Sequence, residues 1–243
     1  MKKIRLLFAI CIACVACHKR NDGHLAPNLN SRFTFDSLSF ADFNGYSTQS
    51  SAFPPASFAF VPNGKVNECL NLIGNANLEC YENLFRNYKI EYEHVHEYSV
   101  SFWFKINDIS GSDAMNIFES RIKNNGVESL DFRILLDNDS LFIGHPDEGI
   151  FPIPFATKSF AFNKFDWNNI AVVVGNNTYS VYLNGVETYN GNRNMNPAPY
   201  LYRLILGNYN SNTSNLYMYL DDLNVWNYTI LGTDVTNYYN STK

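Results

Sequence analysis

The side chains able to do chemistry gather in two short stretches. Glu91-Tyr-Glu-His-Val-His-Glu97 holds three carboxylates and two histidines. In an extended strand Glu91, Glu93 and Glu97 share one face, and His94 and His96 share the other. A retaining glycosidase needs two carboxyls about 5 Å apart, one as nucleophile and one as acid. Nothing in this spacing secures such a pair. His94 and His96 supply two imidazoles with no third ligand, short of a catalytic zinc set. The stretch is therefore expected to be a polar strand or loop edge rather than a hydrolytic centre. The second stretch is Leu216-Tyr-Met-Tyr-Leu-Asp-Asp-Leu-Asn-Val-Trp226. Asp221 has the parity of Leu223 and Val225, which predicts a carboxylate turned inward, with Asp222 turned the other way. A buried carboxylate needs partners. Elsewhere there is no Gly-x-Ser-x-Gly, no phosphate-binding glycine loop and no His-Glu-x-x-His. The chain is expected not to be an enzyme.

Strands must position whatever these residues do. The chain has 243 residues, a formal charge of -5 and 16% aromatic residues, with 16 Tyr and 19 Phe. Aromatic and β-branched residues suit pleated, half-buried surfaces. The mild acidity argues against nucleic acid, which calls for a basic patch. Ser99-Val-Ser-Phe-Trp-Phe-Lys105 alternates, with Val100, Phe102 and Phe104 on one face and Trp103 on the other. Leu130 to Leu136 and Ser140 to Gly144 flank the turn signal Asp137-Asn-Asp139. Ile170 to Val174 is a continuous apolar run, as in a strand buried on both faces. Asn184-Gly185 is a strong hairpin signal, because both central residues of a type I′ turn need φ > 0. Tyr202 to Gly207 and Leu216 to Trp226 add two more strands. No long amphipathic helix is expected. Short strands with regular turns predict an all-β, two-sheet antiparallel sandwich.

The N-terminus has the architecture of an export signal. Lys2, Lys3 and Arg5 precede an apolar run from Leu6 to Val15, too short for the roughly 20 residues of a spanning helix. Cys14-Val-Ala-Cys17 resembles the cleavage box of bacterial lipoproteins, which implies lipidation of Cys17 and anchoring by acyl chains alone. Cys11-Ile-Ala-Cys14 is a second candidate box, and an ordinary secretory signal is the alternative. The expected organisation is a signal over 1–17, a polar tether over 18–31 and one β-sandwich domain over 32–243. The expected location is the outer membrane, lipid-anchored, on its periplasmic or its outer side. In an oxidising compartment Cys69 and Cys80 are candidates for a disulfide, worth about 3 kcal/mol on a chain-entropy account, or else two separate buried thiols.

Four blocks in order resemble the laminin-G-like, concanavalin A-like jelly-roll family. They are Gly64-Lys65-Val66 through Leu72 to Gly74, Ser99 to Lys105, Trp167 through Asn184-Gly185, and Leu206-Gly207 followed by Leu216 to Trp226. The resemblance implies a jelly-roll sandwich whose concave face or rim loops bind carbohydrate or another protein. It also implies a structural calcium held by Asp221 with a first-strand carboxylate, Asp36 or Asp42, and backbone carbonyls; hard oxygens are what Ca²⁺ takes. The alternative is that Asp221 accepts backbone N–H bonds without a metal. Related sandwich glycosidases use Glu-x-Asp-x-Glu on a strand, but Val95 stands at its centre here. Sugar binding needs aromatic platforms beside amide groups. Trp103, Tyr182, Tyr217, Tyr209 and Asn210 are the candidates. The leading expectation is a lipid-anchored, non-catalytic, lectin-like envelope protein that takes a glycan. The alternative is an adhesion or assembly module for a protein partner.

Overall fold

The computed structural model describes residues 29–36, 49–51, 57–74, 76–81, 95–110, 114–137, 140–144, 159–193, 200–207 and 215–243. Cys17, Tyr209, Asn210 and Glu91 to His94 lie outside the described residues. The strands are β1 (Leu29–Phe33), β2 (Gln49–Ser51), β3 (Ser57–Pro62), β4 (Glu68–Ile73), β5 (Asn77–Tyr81), β6 (Tyr98–Ser110), β7 (Met115–Asn124) and β8 (Val127–Asp137). They continue with β9 (Ser140–Gly144), β10 (Ser159–Ala161), β11 (Asn168–Val174), β12 (Thr178–Leu183), β13 (Val186–Asn192), β14 (Tyr200–Gly207) and β15 (Asn215–Trp226), before the helix α1 (Gly232–Thr242). The first sheet has the order β13-β12-β11-β6-β15-β4-β3, with β1 also pairing β15; the second has the order β10-β9-β8-β7-β14-β5-β2. Every pairing is antiparallel. The expected jelly-roll sandwich is the observed fold.

The alternation read from β6 holds. Val100, Phe102 and Phe104 enter the core between the sheets, packed with Phe118, Phe132, Leu204, Leu206 and Leu220. Fully burying such a side chain contributes about 1.5–3 kcal/mol. Along β11, Ile170, Val172 and Val174 join that core, while Ala171 is buried against Tyr182, Trp226 and Val235 on the opposite side. This strand is covered on both faces, as its apolar run predicts. The Asn184-Gly185 turn has φ of 52° and 76°, the type I′ signature. A second such turn, Asn125-Gly126, has φ of 48° and 84° and joins β7 to β8.

One ionic cluster sits inside the apolar core. Asp131 on β8 and Arg193 after β13 pair at 3.0 Å, with side chains 0% and 2% exposed. Tyr98 and Tyr179 donate their hydroxyls to the same carboxylate at 3.2 and 2.6 Å, and Arg193 Nη1 reaches the His96 and Gly175 carbonyls. A buried pair with its remaining donors bonded carries its desolvation cost, and cutting one partner typically costs about 3–5 kcal/mol. The cluster ties the first sheet to the second at one end of the sandwich.

A bulge in β15 overturns the expected direction of Asp221. Leu216, Met218 and Leu220 enter the core, and then Leu223 and Val225 do, so the parity switches between them. The register with β6 shifts after Asp221, and Asp222 takes φ 45°. An inserted residue reverses which side each later side chain faces. Asp221 therefore lies across from Trp103 on the outer side of the first sheet, although it is fully buried there.

The expected disulfide is not formed. Cys69 and Cys80 are both free and buried. Cys80, on the second sheet, belongs to the core between the sheets. Cys69, on the first sheet, pairs with Val61 and feels the charges of Asp221 and Lys105. The two thiols thus face different layers. Burial, followed by the Asp221 charge, pushes the Cys69 thiol up to about 12, and burial followed by Glu79 raises Cys80 further. Both remain protonated and unreactive at neutral pH.

Candidate functional site

Half of the outer face of the first sheet is capped by α1. Trp103 is 1% exposed; its ring stacks on Tyr239 at 5.6 Å and its Nε1 donates to Thr242 Oγ1 at 3.3 Å. Lys65 Nζ lies 4.5 Å from the centre of the same ring. Tyr182 is buried beside Val235 and Ile230 and packs onto Gly232. The hairpin turn is part of this seam, because Tyr239 lies against Gly185 and Thr236 Oγ1 donates to the Gly185 carbonyl at 2.8 Å. Tyr238 bonds the carboxylate of Asp222, which Arg32 pairs at 2.8 Å. Trp103 and Tyr182 are thus packing residues under the helix rather than open platforms. That corrects the expectation for both.

The other half of that face carries half-buried aromatics. Tyr219 lies between Lys105 on β6 and Asn71 on β4, its partners in register, and turns away from the core residues Met218 and Leu220. Trp167, just ahead of β11, brings its ring to 6.4 Å from that of Tyr219. Two residues of offset on the same strand place Tyr217 on this side as well. The turn that carries Trp167 is pinned: Asn168 Nδ2 donates to the Asn163 and Asp166 carbonyls, each at 2.8 Å, and Ile106 N–H donates to the Lys164 carbonyl at 2.9 Å. Phe165 in that turn is 55% exposed. Asn71 Oδ1 has no hydrogen-bond partner among the described residues. Of the sugar-platform candidates among the described residues, Tyr217 is the one that lies here. Trp167 and Tyr219 are the members that sequence patterning assigned to strand-building alone.

The outer face of the second sheet is charged. In register across it run Tyr81, Arg203 and Arg121, and beside them Glu79, Ile205, Glu119 and Arg133. Arg203 bonds Glu79 at 2.9 Å and Glu128 at 2.7 Å; Arg121 bonds Glu119 and reaches Glu128 at 3.3 Å. Tyr81 donates its hydroxyl to Glu79 at 2.7 Å and meets Tyr202 edge to face at 5.9 Å. Lys123 Nζ lies 4.7 Å over the Tyr202 ring. Sequence reasoning missed this face. The overlooked signal was Asn125-Gly126, which marks the β7–β8 hairpin, with Glu119, Arg121 and Lys123 alternating against Phe118, Ser120 and Ile122.

The oxygens around Asp221 suit a hard cation. Asp221 Oδ2 accepts the Val66 N–H at 2.8 Å and Oδ1 accepts the Asp222 N–H at 2.7 Å, while Asp36 Oδ1 accepts the Glu68 N–H at 3.2 Å. A Cβ on Gly64 would lie 2.5 Å from the Glu68 carbonyl oxygen and 2.8 Å from Asp221 Oδ2, so only glycine fits. Burial pushes the Asp221 carboxyl up to about 7; the amide hydrogen bonds pull it down, and the charges of Asp222 and Asp36 add to the rise. Two carboxylates beside a backbone carbonyl fit calcium in donor type. Among the described residues no three His, Cys, Asp or Glu side chains gather for a metal, so a cation here depends on backbone oxygens.

The glutamate and histidine stretch does not assemble a catalytic pair in its described part. Val95 is a core residue, and Glu97 bonds Asn176 through the backbone N–H at 3.2 Å and the side-chain amide at 2.6 Å. Glu97 thereby braces the turn between β11 and β12.

A family model described as the concanavalin A-like lectin/glucanases superfamily matches residues 89–236. Among solved structures, domain 4 of AbnA, an extracellular arabinanase from Geobacillus stearothermophilus, in complex with arabinotriose, is similar at 18% identity and a TM-score of 0.60, covering 86% of this chain and 97% of that one. The binding domain of botulinum neurotoxin DC in complex with rat synaptotagmin II is similar at 16% identity and a TM-score of 0.61, covering 88% of this chain and 51% of that one. A botulinum neurotoxin type C structure, whose cell entry depends on two ganglioside molecules, is similar at 16% identity and a TM-score of 0.60, with 88% and 51% covered. The chain thus spans about half the length of the neurotoxin chains it matches. At these identities the likeness is one of fold. No curated protein matches the chain by sequence.

Proposed function

The chain belongs to the concanavalin A-like lectin/glucanases superfamily, and on that premise we propose that it is a non-catalytic carbohydrate-binding protein. The carrying observation is the half of the first sheet's outer face that no described element caps, where Trp167 and Tyr219 form a paired aromatic surface beside Tyr217, Lys105 and Asn71. A pyranose ring buries its apolar face on such rings, and nearby amide and ammonium groups fix its hydroxyls. The arabinotriose-bound arabinanase domain and the ganglioside-linked neurotoxin share the fold and make a glycan the natural first ligand to test. The N-terminal pattern supports export, lipidation at Cys17 and residence at the outer membrane; metabolic labelling with a palmitate analogue, lost in Cys17→Ala, tests that anchor.

The same proposal includes a structural calcium held by Asp221, Asp36 and the Glu68 carbonyl. Bound there, a cation would supply positive charge to the acidic pair and would tie the 63–67 turn to β15. Chelation is expected to lower the melting temperature of the wild type and leave Asp221→Ala unmoved.

One observation favours a protein partner as the second reading. Among the described residues β13 is an edge strand of the first sheet, and its side chains are exposed or half-buried throughout. An edge strand of this kind can accept an added strand. A glycan array together with a pull-down separates the two. Saturable binding to a polysaccharide, weakened by Trp167→Ala, supports the first; no glycan and one stoichiometric protein partner supports the second.

A further inference from the structure

The aromatic surface of the first sheet has a cation at its centre. Lys105 stands between Phe104 and Ile106, both core residues, so its side chain leaves the sheet on the outer face. β6, which carries it, runs between β11 and β15. Tyr219 is its register partner on β15, and Trp167 lies one residue ahead of the Asn168–Phe104 pair, opposite Lys105 on the other side. The two rings approach to 6.4 Å across the strand that bears the lysine. Each of the other described lysines lies over a ring: Lys65 over Trp103 at 4.5 Å, Lys123 over Tyr202 at 4.7 Å, Lys164 over Phe165 at 5.2 Å and Lys243 over Tyr239 at 5.9 Å. Lys105 is half-buried between two rings and lies over neither; among the described residues its ammonium has no ion pair and no hydrogen bond. The carboxylates of this rim are engaged elsewhere, Asp108 by the Ile109 N–H at 2.8 Å and Asp166 by the Asn163 amide. Asp221 is fully buried one row away, opposite Trp103, and accepts the Val66 and Asp222 amides. A partly desolvated ammonium without an anion carries a cost that a bound anion removes.

We propose that this surface takes a glycan containing uronic acid, with the Lys105 ammonium binding the ring carboxylate. The inference rests on the carbohydrate-binding reading and names the sugar class of the same site. A uronate bears its carboxylate at the edge of a ring whose faces are apolar. Stacked on Trp167 or Tyr219, it turns that edge toward the ground between the platforms, where the ammonium stands. The resulting charge-assisted hydrogen bond is stronger than a contact to a neutral hydroxyl. Lysine suits a single carboxylate, because its ammonium is a compact point charge with rotatable donors. Asp108, in register with Tyr217 on the same face, repels an acid placed at that end and leaves Lys105 as its seat.

Calorimetry on the full chain tests this with oligomers of galacturonate, glucuronate and mannuronate, each beside its carboxyl-reduced counterpart, which keeps the ring and loses the charge. In at least one pair the acid is expected to bind about tenfold more tightly than its neutral counterpart, a preference that shrinks as salt is added. Lys105→Met keeps an apolar stem against the rings and removes the charge. It is expected to abolish the preference while leaving neutral binding within about twofold of wild type. Lys65→Met, at a lysine already held over Trp103, is expected to leave the preference unchanged. Equal binding of acid and neutral forms in every pair, a preference that survives Lys105→Met, or a sulfated neutral oligomer bound as tightly as the uronate overturns the proposal. In each of those cases neutral binding that depends on Trp167 still supports the carbohydrate reading, so the inference fails alone. Binding of no oligomer of either kind by folded wild type overturns the carbohydrate reading and this inference with it.

Discussion

The two outer faces of this sandwich are made by the same rule and end in opposite states. Each strand sends alternate residues to the core and the rest outward. On the first sheet the outward set includes Trp103, Tyr182 and Asp221, and a C-terminal helix with the 63–67 turn buries all three. On the second sheet the outward set includes Arg121, Arg203, Glu79, Glu119 and Glu128, which pair with one another. An apolar outer face must be covered or used; a charged one can hold itself in partial contact with water. The first sheet has done both, covering Trp103 and leaving Trp167 and Tyr219 half open.

The largest effect should come from breaking the cover. Trp103→Ala removes the ring that α1 stacks on and is expected to cost about 3–5 kcal/mol, read by denaturant unfolding. A loss under about 1 kcal/mol, the range of ordinary surface substitutions, would mean that the helix is held by its hydroxyl contacts instead. On the charged face Arg203→Ala should cost about 1–3 kcal/mol, because it removes a guanidinium 2.9 Å from the 9% exposed Glu79 carboxylate. An effect as large as that of Trp103→Ala would erase the contrast between the faces.

Asp221 sharpens the comparison through pH. Its folded pKa of about 7 stands above the ordinary 3.8 because burial disfavours the charged form. At acid pH the carboxyl is protonated in both states and costs nothing. As pH rises from 3.8 toward 7, the unfolded chain releases the proton while the folded chain keeps it. Stability therefore falls across that window and levels off above it. Melting curves in chelator should show the decline, Asp221→Asn should flatten it, and calcium should restore stability chiefly at the alkaline end.

Much of this was legible in the residues. The β6 alternation and Asn184-Gly185 hairpin gave the correct sheet and turn, because both signals are local. What covers an outward residue was not legible. Alternation assigns Trp103 to a side but says nothing of an element more than a hundred residues later. That element, α1, has only Val235 buried among its residues and docks through Thr236, Tyr238, Tyr239 and Thr242, so it shows no apolar stripe. Asp221 was misdirected by one inserted residue in β15, which parity cannot see. The charged face was missed with the Asn125-Gly126 turn that builds it. The cysteines satisfied the compartment argument for a disulfide, but they face different layers.

The smallest expected cost in stability belongs to the most informative substitution. Trp167 is half-buried at the mouth of a turn that Asn168 and the Lys164 carbonyl already hold, so Trp167→Ala should leave melting nearly unchanged. The measurement to make is calorimetric titration of the wild type, Trp167→Ala and Tyr219→Ala with the best polysaccharide from an array. The account predicts saturable binding by the wild type and a loss of at least about tenfold in each variant, the scale of one stacking platform removed. Binding that survives both substitutions undiminished, in folded protein, would contradict the placement of the glycan site on the first sheet.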